Sequence, residues 1–223
     1  MVWVSSYTRP DLSFETCVMS NMGKHPTVKM VNEANKAVKK LKSKSVSISF
    51  PNLGKPEDIE IQVYSDATHA SLSDGASQGG FIIILMGGNG KSVPVSWQSK
   101  RLHRITKSPL ASETLALAEA ADTGFLVASF MSEIFGLASM PRIHCFTDNR
   151  SLMETLHTSN TISDRRLLVD ISRLREMVDN NELRVSWVRA KMQISDALTK
   201  NTASTAALLD ARYWYIKSLY SGS

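Results

Sequence analysis

Cysteine is nearly absent: Cys17 and Cys145 are the two in 223 residues, far apart and in different expected elements. That excludes a disulfide framework and a cysteine-built zinc site, and it points to reduced thiols in an intracellular protein. Histidine supplies no metal module either, because His69, His103, His144 and His157 have no spacing suited to zinc. Long apolar runs are also missing. The most apolar stretch, Phe81 to Met86, is much too short to cross a bilayer. The N-terminus carries an acid and a proline where a signal peptide has its hydrophobic region, so neither export nor membrane anchoring is expected. Gly87-Gly88-Asn89-Gly90 lacks the following Lys-Ser/Thr of a phosphate loop and reads as a hairpin turn. There are no internal repeats and no low-complexity tract.

What is present is an ordinary globular composition. With 43% hydrophobic and 21% charged residues, the chain can build a core without staples. Its length suits one domain with an appendage, or two small domains. A net charge of +5 and a pI near 9.2 favour a polyanionic partner. Between Asp74 and Glu113 there is no acid, while Lys91, Lys100, Arg101, Arg104 and Lys107 all fall there. Such a strip neutralises phosphates, releases counterions and gives affinity that ignores sequence. A plain basic loop would look the same.

The patterning changes near residue 57. Before it, residues 11–22 and 26–42 read as helices, the first capped by Asp11, the second starting at Pro26. The second carries Val28, Val31, Ala34, Val38 and Leu41 on one face and Lys29, Lys36, Lys39, Lys40 and Lys42 on the other. Val46, Ile48 and Phe50 alternate with serines as a strand does, and residues 51–56 form a linker. Beyond it, Ile59, Ile61 and Val63 alternate into Asp66. A turn over Gly75–Gly80 leads to a strand at 81–86, and a third strand covers 93–97. Ser108 and Pro109 start a helix that runs to about Phe135. A strand at 143–147, helices at 149–157 and 164–179, a strand at 183–188 and a short helix from Ser195 complete the order. Leu167, Ile171, Leu174 and Val178 form the core face of the 164–179 helix. Trp97 and Trp187 fall in strands and read as sheet residues rather than base stackers. This order specifies an α/β layer fold with a mixed sheet.

Four carboxylates sit at corresponding places on that framework. Asp66 and Asp148 end strands, whereas Glu113 and Asp196 open helices. Singly, each reads equally as a cap or a solvated acid, and Asp148-Asn149 before a helix is a good capping pair. Together they offer the hard oxygen donors that a pair of Mg²⁺ ions requires for phosphodiester hydrolysis. Asp74, Asp164 and Asp170 are left outside this set.

The segments YSDATHASLSDGASQGGFIIIL, WQSKR with SPLASETLAL, CFTDN, LREMVDNNELRVSWV and QISDALTK resemble the ribonuclease H region of copia-type long-terminal-repeat retrotransposon polyproteins. The resemblance spans roughly residues 59–202. It implies a ribonuclease H-like mixed five-stranded sheet flanked by helices, with a small helical segment before it. It further implies an endonuclease that cuts the RNA strand of RNA–DNA hybrids with two Mg²⁺ ions, Mn²⁺ being an alternative. Asp66, Glu113, Asp148 and Asp196 would be both metal ligands and catalytic residues. Lys100, Arg101, Arg104, Lys107 and Asn149 would contact nucleic acid. YTRPDLSF and the Lys-rich helix resemble the end of a reverse transcriptase. That gives residues 1–56 as a reverse transcriptase remnant, 57–205 as the ribonuclease H domain and 206–223 as a tail with Tyr213, Trp214, Tyr215 and Tyr220. The polymerase Tyr-x-Asp-Asp motif is absent, so no DNA synthesis is expected. Met1 is followed by mid-domain-like sequence, as in a piece of a longer protein whose upstream polymerase would be a partner; a monomer is otherwise expected.

One departure stands out. Cellular ribonucleases H often carry a His between the last strand and last helix, where this chain has Arg189-Ala190-Lys191-Met192-Gln193-Ile194. Arg189 or Lys191 would then be phosphate contacts or simply solvated charges. Two other functions fit parts of the pattern. An integrase uses Asp, Asp and Glu, with Glu182 as the third acid, but Glu182 falls in a turn before a strand. A catalytically inactive or domesticated nucleic-acid-binding module would keep the fold without cutting.

Overall fold

The computed structural model describes residues 1–21, 27–43, 45–72, 74–158 and 164–209. Strand β1 (Glu60–Thr68) is buried along nearly its whole length, and this decides the architecture. Ile61 and Val63 face one side, Tyr64 the other, so β1 must lie in the middle with layers on both faces. It pairs antiparallel with β2 (Gln78–Met86) and parallel with β4 (Ile143–Thr147). β3 (Ser92–Arg101) extends the β2 edge antiparallel, and β5 (Leu183–Trp187) pairs parallel with β4. The order β3-β2-β1-β4-β5 is an open, mixed five-stranded sheet flanked by helices, as the resemblance implied.

The main core lies between this sheet and three helices. α4 (Pro109–Phe135) starts where sequence placed it: Ser108 accepts the Ala111 amide at 3.2 Å, and Pro109 needs no donor there. It stops at Gly136, whose φ of 60° is the left-handed conformation that glycine adopts without a Cβ clash. α4 is long and apolar enough by composition to cross a membrane. Here, however, Leu117, Ala120, Ala121 and Ala128 are buried in the sheet's main core, the position of a core helix. α5 (Arg150–His157) and α6 (Arg165–Asp179) complete the layer, with Leu167, Ile171 and Leu174 inward as expected.

The opposite face is covered by N-terminal helices and by residues 192–208. α1 (Val2–Tyr7), which the sequence reading did not include, and α2 (Ser13–Ser20) pack beside β3. Trp97 Nε1 donates to Ser5 O at 2.7 Å, and Gln78 Nε2 lies 3.3 Å from Cys17 Sγ. A 3₁₀ turn over Thr205–Leu208 brings fully buried Leu208 into the same core as Tyr64, Trp97 and Leu198. The start of the expected tail therefore packs back on the sheet; Tyr213, Trp214, Tyr215 and Tyr220 lie outside the described residues, as do Met22 and Pro26.

Several expectations are corrected. Asp11 does not cap a helix; it sits in a 3₁₀ turn over Pro10–Leu12 and pairs with Arg9 at 2.8 Å, both buried. Residues 46–50 form no strand, because alternation alone cannot make one without a sheet edge to pair with. Ile48 still packs against the second core, while Phe50 is 75% exposed. In α3 (Val28–Ser43) the buried residue is Ala37, and Val28 and Val31 face solvent. Lys40 is not on the solvated face: it bridges to Glu15 at 2.9 Å and to Asp11 O. β2 begins at Gln78 rather than after Gly80, and β3 continues to Arg101. The last short helix is a five-residue 3₁₀ turn, Ile194–Leu198.

Candidate active site

Register brings the first two acids level. Tyr64 pairs with Phe146 across parallel β1 and β4, so Asp66 and Asp148, each two residues further on, stand side by side at the carboxyl ends. That is where open α/β sheets place ligands. Glu113 projects from the second turn of α4, held there by the Ser108 cap, and accepts a hydrogen bond from the Ala67 amide. Asp66, Glu113 and Asp148 each offer an oxygen, and these atoms lie within 4.8 Å of one another.

Asp196 arrives differently. Its 3₁₀ turn lies directly over Gly80, the β2 partner of Asp66. A Cβ at Gly80 would stand 2.6 Å from Leu198 Cβ, so only glycine lets the turn come this close. Gln193 Nε2 donates to Ser65 O at 2.9 Å, and Ser195 Oγ donates to Gln193 Oε1 at 2.8 Å, locking the turn to the strand end. Thr199 Oγ1 donates to Asp66 Oδ2. Lys200 Nζ lies 2.8 Å from Asp196 Oδ1 and 3.4 Å from Asp66 Oδ2. Three acids thus form one tight cluster, and the fourth joins it across a lysine.

The electrostatics are strained. Burial, then repulsion by Asp196 and Asp148, lifts the Asp66 carboxyl to about 6, against the pull of Lys200 and Thr199. Burial, followed by the charges of Asp66 and Asp148, holds Glu113 well above the ordinary glutamate range. Burial and Asp196 raise Asp148 as well. Burial works against the Lys200 ammonium, but Asp66, Asp196 and Asp148 outweigh it and keep it charged. Two oxygens, Asp66 Oδ1 and Glu113 Oε2, are buried with no hydrogen-bond partner among the described residues. Buried carboxyl oxygens of this kind are neutralised by a proton or a cation, and an all-oxygen donor set fits a hard divalent ion.

The other expected site residues are placed as follows. Lys100 pairs with Glu119 at 2.5 Å, Arg101 with Asp74, and Arg104 with Asp170 at 2.7 Å; Lys107 is exposed. Asn149 Oδ1 accepts the Leu152 amide at 2.9 Å and caps α5, leaving the Asp148 carboxylate for the cluster. Asp164 caps α6 and, with the ion-paired Asp74 and Asp170, has another task. Glu182 precedes β5, whose first residue is level with Ile143, so it lies at the opposite end of the sheet from Asp148. That geometry disfavours the integrase arrangement. Trp97 is a core residue; Trp187 donates to Asp148 O at 2.9 Å and carries the Arg150 guanidinium 4.4 Å from its ring centre. Sequence reasoning missed Lys200, Thr199, Gln193 and Gly80. The first three sit within the quoted QISDALTK segment, where Lys200 stands four residues from Asp196, a spacing too common to single it out.

No family model matches the chain. It is similar to the Retrovirus-related Pol polyproteins from transposons RE1 and RE2 of Arabidopsis thaliana. Identity is 27% over 210 residues and 28% over 206, in each case across 90% of this chain. The chain spans 13% of the length of these relatives. Among solved structures, LC11-RNase H1 in complex with an RNA/DNA hybrid is similar at 15% identity and a TM-score of 0.48. That match covers 67% of this chain and 99% of that one.

Proposed function

We propose that the chain is the ribonuclease H portion of a retrotransposon Pol polyprotein and cuts the RNA strand of RNA–DNA hybrids. The observation that carries this reading is the convergence of Asp66, Glu113 and Asp148, with two of their buried oxygens lacking a hydrogen-bond partner among the described residues. Asp66, Glu113 and Asp148, with Asp196 beside them, would hold two divalent ions, Mg²⁺ in preference and Mn²⁺ as a substitute. When bound, such ions supply an acidified water and counter-charge for the scissile phosphate. The protein's own part is to fix the donors. Ser108 anchors Glu113, the Trp187 bond steadies the Asp148 backbone, and the Asp196 turn is clamped to the Ser65 carbonyl by Gln193 and to Asp66 by Thr199.

The similarity to Pol polyproteins spans 90% of the chain and so must reach into the segment before residue 57, which supports reading residues 1–56 as the end of a reverse transcriptase and its upstream domains as partners. Hybrid recognition would rest on shape and on the 2′-hydroxyls of the RNA strand. Lys100, Arg101, Arg104 and Lys107 would supply phosphate affinity, reduced by the carboxylates that three of them already meet. The test is incubation with a labelled RNA–DNA hybrid and Mg²⁺, beside Asp148→Asn. Cleavage of the RNA strand by the parent and its loss in the variant are expected. Binding without cutting by the parent would favour the nucleic-acid-binding module, and cutting that persists in Asp148→Asn would refute the site.

A further inference from the structure

Asp66 presents two unlike oxygens. Oδ2 accepts from Thr199 Oγ1 and lies 3.4 Å from the Lys200 ammonium. Oδ1 is buried and has no hydrogen-bond partner among the described residues, and the same holds for Glu113 Oε2. The same ammonium is 2.8 Å from Asp196 Oδ1. One covalently tethered cation therefore spans the Asp66–Asp196 gap, while the Asp66–Glu113–Asp148 side has carboxyl oxygens with no partner among the described residues. The chain builds this on purpose of geometry: the Lys200 amide donates to Asp196 O at 2.9 Å, so the lysine stem starts one turn past Asp196 and folds back over it. The Lys200 side chain is 35% exposed, so its flexible stem has a path to solvent.

Resting on the reading of the four acids as a metal site, we propose that Lys200 is a resident counter-cation for the Asp66–Asp196 half. It excludes a second divalent ion from the free protein. The free protein then takes one divalent ion, between Asp66, Glu113 and Asp148, and admits another only when Lys200 withdraws. A nucleic-acid phosphate at the mouth of the site is the chemical group that draws it out, because an ammonium is a phosphate ligand. Lys200 is on this account a positioning residue that makes full metal loading depend on substrate.

Calorimetric titration with Mn²⁺, without nucleic acid, tests this on the full chain. The parent is expected to take one ion, and Lys200→Met to take two, or to bind the second at least about tenfold tighter. Lys200→Gln, neutral but polar, carries the same expectation if the methionine variant folds poorly. Lys200→Arg keeps the charge and should titrate like the parent. Asp148→Asn should lose the site that the parent fills. If both neutral variants match the parent in stoichiometry and affinity, the counter-cation role is overturned while the acid cluster stands. If the parent binds no Mn²⁺, the metal-site reading itself falls, and this proposal with it.

Discussion

A carboxylate that the fold withdraws from water and sets beside other anions is unstable until a cation arrives. Asp66 shows this most clearly: burial and its acidic neighbours lift it to about 6 from an ordinary 3.8. Between those values the folded chain holds a proton that the unfolded chain has released. Its stabilising contribution is therefore complete below 3.8 and is lost as pH rises through about 6. Glu113 shifts in the same direction and adds to the loss. In EDTA, Asp66→Asn should thus exceed the parent in stability at about pH 7.5 by roughly 1–3 kcal/mol, with the gap narrowing toward about pH 4.5. Urea unfolding at both pH values measures it; a gap that does not change with pH would mean the carboxylate is not strained. Saturating Mg²⁺ should raise the parent's midpoint and leave the asparagine variant's nearly unmoved. The four acids could be singled out at this scale because the sequence pattern sets each near the end or the start of an expected element. Lys200 was not, since a basic residue four positions from an acid is common on any solvated surface.

At the scale of elements, caps and close approaches set the site. Asn149→Ala removes the α5 cap and should cost about 1 kcal/mol, whereas Asn149→Ser should restore most of it. Thermal melts compare them, and hybrid affinity measured on the serine variant separates capping from any nucleic-acid contact. Equal melts for all three proteins would show the cap to be idle. Gly80→Ala should do more harm, since the new Cβ meets Leu198 and must lift the Asp196 turn off β2. A stability loss of about 1–3 kcal/mol and a steep fall in cleavage are expected from such overpacking; full activity would show that the turn is not held by this contact. The α4 boundaries were readable because Ser108, Pro109 and Gly136 are local signals. The strand expected at 46–50 failed because pairing needs an edge, which no local pattern encodes. Which of Asp148 and Asn149 capped α5 turned on one residue of boundary, finer than periodicity resolves.

At the scale of the whole molecule, the N-terminal helices are part of the fold that carries the site. α1 and α2 cover β3, and Trp97 spends its indole donor on Ser5. A chain beginning at residue 45 should unfold at lower urea, by roughly 2 kcal/mol or more from newly exposed apolar surface. An unchanged midpoint would make residues 1–44 a mere appendage. By itself the sequence determined the order of strands and main helices beyond residue 57 and the mixed sheet, and singled out four acids as candidates, because periodicity, caps and turn residues act over a few neighbours. Only the tertiary structure decided which oxygens are left partnerless, that Gly80 admits the Asp196 turn, and that Lys200 stands between two of the acids. Those facts depend on strand register and on the approach of segments more than a hundred residues apart, and such distances are set by packing rather than by any local pattern.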